Sequence, residues 1–224
     1  MPDQNAQISW REGRVPVSTQ FDDPYFSLDD GVAETSHVFL AGNDLPARFA
    51  PEFHIAELGF GTGLNLLVAW DAWVRSGQTG ILQFTSFEAF PMRTLDMAQA
   101  HEAFPTFDGK RDALTAAWRG DGGVLDLPGV RAEVIIGDAR KTLPAWTGRA
   151  DAWFLDGFSP AKNPELWGDT LMTDVARHTA PDGTAATYTA AGFVRRALAA
   201  AGFEVTRSTG YGRKRHMTTA RLTT

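Results

Sequence analysis

One stretch constrains the fold of this chain more than any other. Glu57-Leu58-Gly59-Phe60-Gly61-Thr62-Gly63-Leu64-Asn65 joins a strand-like apolar segment, residues 53–58, to a helix-like one, residues 64–75. Leu64, Leu67, Val68 and Val74 give that helix a mostly apolar face. Glycines at such a bend let the chain turn tightly and bring its backbone close to a ligand. In an open parallel sheet, ligands lie outside the carboxyl ends of the strands, so the bend is a candidate cofactor cradle. Its spacing is G-x-G-x-G; a dinucleotide fingerprint would want its third glycine one place later, where this chain has Leu64.

Beyond the bend, strand-like and helix-like segments alternate. Strands are predicted at 82–88, 131–136, 151–155 and 184–189, and helices at 94–103, 113–119, 165–178 and 193–201. Two last strands, 203–209 and 216–222, flank a turn at Gly210–Gly212 and so should be antiparallel neighbours. Alternation of this kind predicts a mostly parallel sheet covered on both faces. Residues 1–52 read as irregular, with turn formers at Asp22-Asp23-Pro24 and Gly42-Asn43-Asp44.

Composition removes several chemistries. The 224 residues include no cysteine, so there is no disulfide framework, thiolate zinc site, iron–sulfur cluster or cysteine nucleophile. The five histidines show no helical metal-pair spacing, and no metal is expected. No apolar run nears the roughly 18 residues of a membrane helix. The first residues lack the regions of a signal peptide, and a cytoplasmic protein without membrane contact is expected. The net charge is −6, yet residues 189–224 hold seven basic residues and one acid. Such asymmetry fits either an anionic partner at the C-terminal end or ordinary surface scatter.

Further candidates fall at strand ends. Glu88 closes the second strand, where a carboxylate can accept from both hydroxyls of a ribose. Asp138-Ala139 follows the third, where the acid can meet an adenine amino group or simply cap a helix. Leu155-Asp156-Gly157-Phe158-Ser159-Pro160 follows the fourth, bringing an acid, an aromatic ring and a proline-shaped turn to the same crevice.

This arrangement resembles the class I S-adenosylmethionine-dependent methyltransferases from about Phe53 to the C-terminus. The Glu57–Gly63 loop, Glu88 and Asp138 match the cofactor motifs in order and strand context. The resemblance implies an α/β, Rossmann-like, seven-stranded sheet with helices on both faces and the last strand antiparallel. It also implies a cofactor, S-adenosyl-L-methionine, held by Glu57, Gly59, Phe60, Gly61, Thr62, Gly63, Asn65, Glu88, Asp138, Ala139, Asp156 and Tyr25.

A narrower resemblance covers nearly the whole chain. Phe21-Asp22-Asp23-Pro24-Tyr25-Phe26-Ser27, Gly31 to Glu34-Thr35, Val38-Phe39-Leu40-Ala41-Gly42-Asn43, Ser86-Phe87-Glu88 and the block from Asp151 to Pro164 are similar to the tRNA 5-methylaminomethyl-2-thiouridine methyltransferase family, MnmD, also found as the N-terminal domain of bifunctional MnmC. It implies methylation of the amine of 5-aminomethyl-(2-thio)uridine at the wobble position of tRNA. A flavin-dependent oxidase activity acts upstream in that pathway. The sequence leaves no room for that oxidase domain after Thr224, so a stand-alone transferase or an excised domain is expected. Residues 1–52 are then an N-terminal extension that packs on the core and helps form the active site, and 53–224 the methyltransferase domain.

The chemistry can be set against the residues. A free alkyl amine resembles lysine, with a pKa near ~10.4, so exposing its lone pair at neutral pH costs about 4–5 kcal/mol. A sulfonium nearby lowers that cost, whereas a carboxylate favours the ammonium. Asp156 is therefore cast as a hydrogen-bond acceptor that orients the nitrogen, and most of the rate as placement of two reactants in line. Phe158 is an aromatic wall for a base or a core ring. Lys162 meets a phosphate, steadies the substrate loop of Ser159 and Pro160, or stays solvated. Tyr25 and Phe26 close over the cofactor, stack on the uridine, or pack as an ordinary aromatic pair. Arg213, Lys214 and Arg215 are candidates for tRNA phosphates, with Arg93 a lesser one.

Two other readings stay open. A class I N-methyltransferase acting on a small-molecule or protein amine suits the acidic net charge. An NAD-dependent oxidoreductase is disfavoured by Leu64 in place of glycine.

Overall fold

The computed structural model describes residues 5–27 and 30–223. An eight-stranded sheet runs through its centre, built from β4 (His54–Leu58), β5 (Leu82–Glu88), β6 (Gly123–Leu127), β7 (Val130–Ile136), β8 (Ala150–Leu155), β9 (Thr179–Thr187), β10 (Phe203–Thr209) and β11 (His216–Leu222). Strands β1 (Ile8–Arg11), β2 (Val15–Ser18) and β3 (Asp23–Pro24) form a separate antiparallel sheet. The central order is β10-β11-β9-β8-β4-β5-β7-β6. Pairs β4–β5, β5–β7, β4–β8 and β8–β9 are parallel. Strand β11 is antiparallel to both of its neighbours, and β6 is antiparallel to β7.

Side-chain alternation along the central strands produces two cores. Ile55, Phe84 and Phe154 point to one face, beneath α2 (Leu64–Arg75), α3 (Thr94–His101) and α4 (Asp108–Ala117). Ala56, Leu58, Trp153 and Leu155 point to the other, beneath α5 (Ala139–Thr142), α6 (Asp169–Arg177) and α7 (Gly192–Ala200). Burial on both faces is why these strands read as apolar runs.

The segment before the sheet is folded, where the sequence reads as irregular. Besides β1–β3 it holds α1 (Gly31–Thr35), capped by Asp30, and two short helical turns through Asn43. Asn43 pins this segment to the core: its Nδ2 donates to the Phe39 and Trp153 carbonyls, and its Oδ1 accepts from Thr184 Oγ1 at 2.6 Å. Arg48 adds a donation to the Asp151 carbonyl at 3.1 Å.

The sheet departs from seven strands by one. Strand β6 is an edge strand that starts at a glycine and is exposed at three of its five residues, so it shows no apolar run in the sequence. The helix predicted at 113–119 lies at Asp108–Ala117; Trp118 leaves it because its indole donates to the Met92 carbonyl at 2.7 Å. The helix predicted from 165 begins at Asp169, after a 3-10 turn at Pro164–Trp167 and an extended Gly168. Val74 does not join the buried face of α2 and stands 52% exposed. The rest of that helix up to Trp70 is buried, because the segment before the sheet covers the side away from the strands. Among the described residues, no helix is long and apolar enough to cross a membrane.

Candidate functional site

The carboxyl ends of β4, β5, β7 and β8 open into one cavity of about 1010 Å³. It is walled by the loops after those strands, by Tyr188 after β9, by residues of the segment before the sheet such as Phe21, Tyr25 and Glu34, and by the turn between β10 and β11.

The bend after β4 forms the floor. Gly59, Gly61 and Gly63 all have positive φ, and Gly63 opens α2 in a left-handed conformation. A Cβ on Gly59 would stand 3.4 Å from the Gly157 Cα, so the loops after β4 and β8 meet glycine to glycine. The Gly61 N–H donates to Glu88 Oε2 at 2.9 Å, and the Phe90 N–H donates to Oε1 at 2.7 Å. Burial raises the Glu88 carboxyl above its ordinary pKa, and these backbone donors oppose the rise. His101 ties the bend to α3 through a 2.7 Å contact between Nε2 and the Thr62 carbonyl.

Asp156 stands on the opposite side of the bend. Its Oδ1 accepts the Gly157 N–H at 2.8 Å, and its Oδ2 accepts from Asn65 Nδ2 at 2.8 Å. Desolvation at the cavity wall pushes its pKa up to about 6, while these two donors and the Lys214 charge restrain it. The same Asn65 nitrogen donates to Glu57 Oε1 at 2.7 Å. Glu57 is wholly buried behind Asn65 and its pKa is raised well above the usual range, chiefly by desolvation.

An aromatic cluster stands beside Asp156. Phe158 stacks on Phe21 with centroids 4.7 Å apart and meets Tyr25 edge-on at 5.1 Å. Tyr25 in turn covers Gly61, where a Cβ would come within 3.1 Å of its ring. The loop carrying Phe158 is clamped to the N-terminal segment. The Ser159 N–H donates to Asp23 Oδ2 at 2.8 Å, and Lys162 Nζ donates to the Asp22 carbonyl and carboxylate.

The wall at the turn between β10 and β11 brings charge. Lys214 Nζ pairs with Glu34 Oε1 at 2.8 Å and lies over the Tyr188 ring, 4.1 Å from its centroid. Tyr188 donates its hydroxyl to the Gly157 carbonyl at 2.7 Å. Arg140, on the far side, pairs with Asp138 at 2.7 Å, and Asp138 also caps α5.

Most of the residues singled out from sequence meet here. Gly59, Phe60, Gly61, Thr62, Asn65, Glu88, Asp138, Ala139 and Asp156 line the cavity, as do Tyr25, Phe26, Phe158, Ser159, Arg213 and Lys214. Glu57, Gly63, Pro160, Lys162, Arg215 and Arg93 are not on its wall. Glu57 lies behind Asn65, and Lys162 is turned onto Asp22. The Asp138 carboxylate is engaged by Arg140, which lowers its pKa. Phe21, Asp23 and Glu34 carry the family resemblance without a site role assigned to them, and Arg140 and Tyr188 are not named by the sequence reading. Tyr188 follows the carboxyl end of β9, the position at which such sheets bind ligands; the strand predicted at 184–189 ends at Thr187, and the two-residue difference is what hid it. Among the described residues, no group of three or more His, Cys, Asp or Glu is gathered around a possible cation.

Comparison with known proteins agrees with this geometry. The crystal structure of MNMC2 from Aquifex aeolicus is similar with a TM-score of 0.79 at 26% identity, over 99% of this chain and 72% of that one. CalS10, an amino pentose methyltransferase from Micromonospora echinaspora solved with S-adenosylmethionine bound, gives 0.48 at 12% identity over 85% and 91%. The N-methyltransferase NodS from Bradyrhizobium japonicum WM9 gives 0.46 at 11% over 86% and 94%. Residues 102–223 match the family described as S-adenosyl-L-methionine-dependent methyltransferase, from just after α3 through the last strand. A match over more than half the chain, on a sheet whose glycine bend and strand-end carboxylate face one cavity, places this protein in the S-adenosyl-L-methionine-dependent methyltransferase family.

Proposed function

We propose that this chain methylates the exocyclic amine of 5-aminomethyl-(2-thio)uridine at the wobble position of tRNA, giving 5-methylaminomethyl-(2-thio)uridine. The observation that carries the reading is Asp156 on the cavity wall beside the Phe158–Phe21 stack. An amine acceptor needs an oxygen to orient its N–H, and a pyrimidine needs a flat apolar surface. The likeness to MNMC2 and the sequence blocks shared with the MnmD family support the same acceptor.

The cradle fits the cofactor. Gly59 and Gly61 line the cavity with backbone alone, and Glu88 is a fixed acceptor at the strand end where a ribose diol would sit. Glu88, Phe60, Gly61, Thr62 and Ala139 would hold the nucleoside, with Tyr25 covering it. Asp138 reaches an adenine amino group only by sharing its carboxylate with Arg140. When bound, S-adenosylmethionine supplies an electrophilic methyl carbon on a sulfonium.

The protein's own residues then position the acceptor. With its pKa at about 6, Asp156 is mostly ionised at neutral pH and accepts an N–H of the amine. Its Oδ atoms keep lone pairs beyond those used by Gly157 and Asn65, so it can also take up the proton released after transfer. Lys214, held by Glu34, lies on the same wall, and its charge helps keep the Asp156 carboxylate ionised. Phe158 and Phe21 fix the plane of the base, Ser159 and Pro160 shape the loop, and Lys162 steadies it through Asp22. Arg213 and Arg215, on the exposed turn, meet tRNA phosphates. A separate flavin-dependent oxidase activity supplies the free aminomethyl group upstream.

Mass spectrometry of wobble nucleosides tests the reading. Incubation with S-adenosylmethionine and tRNA carrying 5-aminomethyl-(2-thio)uridine should add one methyl group to that nucleoside. Methylation of small amines or protein with none on this tRNA would overturn it.

A further inference from the structure

Asn65 occupies an unusual place between two carboxyl groups. Its Nδ2 hydrogens go to Glu57 Oε1 at 2.7 Å and to Asp156 Oδ2 at 2.8 Å. Its Oδ1 accepts from Thr35 Oγ1 at 3.1 Å. Both N–H donors and one of the two oxygen lone pairs are therefore used, and the orientation of the amide is fixed from both sides. Glu57 is itself held from behind by Ser86 Oγ at 2.6 Å. The chain Ser86–Glu57–Asn65–Asp156 thus runs from the interior of β5, through β4 and the first turn of α2, to the cavity wall.

We infer that Asn65 is a positioning residue for methyl transfer: anchored by Glu57 and Thr35, it holds the Asp156 carboxylate in the orientation that receives the acceptor amine. The inference rests on the role proposed for Asp156. A carboxylate held only by its own Gly157 N–H would be free to turn about its side-chain bonds, and in-line transfer tolerates little such freedom. The groups behind Asp156 are short of solvent: Glu57 and Ser86 are 0% exposed, and Asn65 and Thr35 5%. The bonds of Asn65 are consequently not in competition with bulk water, as a surface amide's would be. Its use of both hydrogens on protein carboxylates also explains why a residue of the glycine-bend motif serves the acceptor side of the cavity.

The groups facing Asp156 set what a titration would read. Glu57 lies behind it on β4, Tyr188 follows β9, Glu34 comes from α1 and Lys214 from the turn between β10 and β11. An N–H from Asn65 favours the charged carboxylate, so removing it raises the Asp156 pKa. Removing it also loosens the side chain, which lowers turnover at every pH.

The test compares Asn65→Ala and the milder Thr35→Val with the unaltered chain. Asp156 is followed by carboxyl-carbon NMR in the protein without substrate, assigned by its loss in Asp156→Asn. Its midpoint should rise by about one pH unit in Asn65→Ala and by less in Thr35→Val. Turnover should fall about tenfold or more in Asn65→Ala, with the acid limb of the rate profile moved to higher pH by the same amount. The KM for S-adenosylmethionine should change less than kcat. An unchanged midpoint in both folded variants overturns the inference, as does loss of S-adenosylhomocysteine affinity with the midpoint unmoved. Because the NMR readout needs no acceptor, it stands even where the tRNA assay fails.

Discussion

Replacing Asp156 by asparagine should stabilise this protein at neutral pH relative to its behaviour in acid. Desolvation at the cavity wall raises the carboxyl from 3.8 to about 6 in the fold. In the unfolded chain it returns to its ordinary value, near ~3.9. Between those two values the folded state holds more protons than the unfolded one. Stability from this group is therefore complete below pH 3.8, falls as the pH rises through 6, and stays low above it. A difference of about two pH units, at about 1.36 kcal/mol each, makes the cost of keeping Asp156 ionised about 3 kcal/mol at pH 7.5. The asparagine has no charge to confine.

A second effect runs the other way but does not depend on pH. Gly157 N–H and Asn65 Nδ2 both donate to the carboxylate, and an amide offers an oxygen to one of them only. Facing N–H to N–H costs about 1–3 kcal/mol. The informative quantity is thus the change with pH in the melting-temperature difference between Asp156→Asn and the unaltered chain. Glu57 and Glu88, also raised by burial, contribute to both proteins and cancel in first order. At roughly 2–4 °C per kcal/mol for a chain of this size, the difference should grow in the variant's favour by about 6–12 °C between pH 4 and pH 7.5. A difference that stays flat over that range would refute the claim that the site confines this charge.

Other perturbations separate the two sides of the cavity. Glu88→Gln should weaken S-adenosylhomocysteine by about tenfold or more in calorimetry, and should lose about half or more of the ~2.7 kcal/mol stabilisation that ligand at 100 times the dissociation constant of the unaltered protein gives. Gly61→Ala asks for a side chain at φ +54°, 3.1 Å from the Tyr25 ring. It should lower the melting temperature by roughly 2–8 °C, at about 1–2 kcal/mol for the left-handed residue, and weaken the cofactor as well. Lys162→Met frees the loop of Phe158 from Asp22; the KM for tRNA should rise severalfold while cofactor affinity, read by calorimetry, stays as it was.

The cofactor side was legible because it depends on backbone rules. A glycine bend between strand and helix, and an acid at the end of the next strand, have fixed places in an open parallel sheet, so Gly59, Gly61 and Glu88 could be located before any coordinates. Asp138 was equally visible, but its engagement by Arg140 was not: a partner two residues away can turn toward or away from the cavity, and only packing decides. Glu57 was read as a ligand because the strand-end motif contains it. The period of two along β4 puts it instead inside the sheet, where Ser86 and Asn65 satisfy it. The segment before the sheet was opaque for another reason. Its strands have four, four and two residues, too few for periodicity to register, and they are held by long-range bonds such as those of Asn43.

The acceptor side could not be read in this way, since its residues are neighbours only through topology. Insertion of β11 between β9 and β10 carries the turn with Lys214 back beside the carboxyl end of β9, and so beside Tyr188. Glu34 arrives there from the opposite end of the sequence. The two sides also differ in how firmly they are held. Glu88 is buried and bonded to backbone N–H groups of the bend, so opening the cradle would strand a carboxylate away from water. The Lys214–Glu34 pair has side chains 46% and 16% exposed, and ion pairs with one partner in solvent are worth ~0–1 kcal/mol. Under the proposed function, the phosphates of a tRNA anticodon can replace that contact at little cost. The wall that carries Lys214 is therefore held by a partly exposed ion pair, while the glycine bend is held by buried, charge-assisted hydrogen bonds.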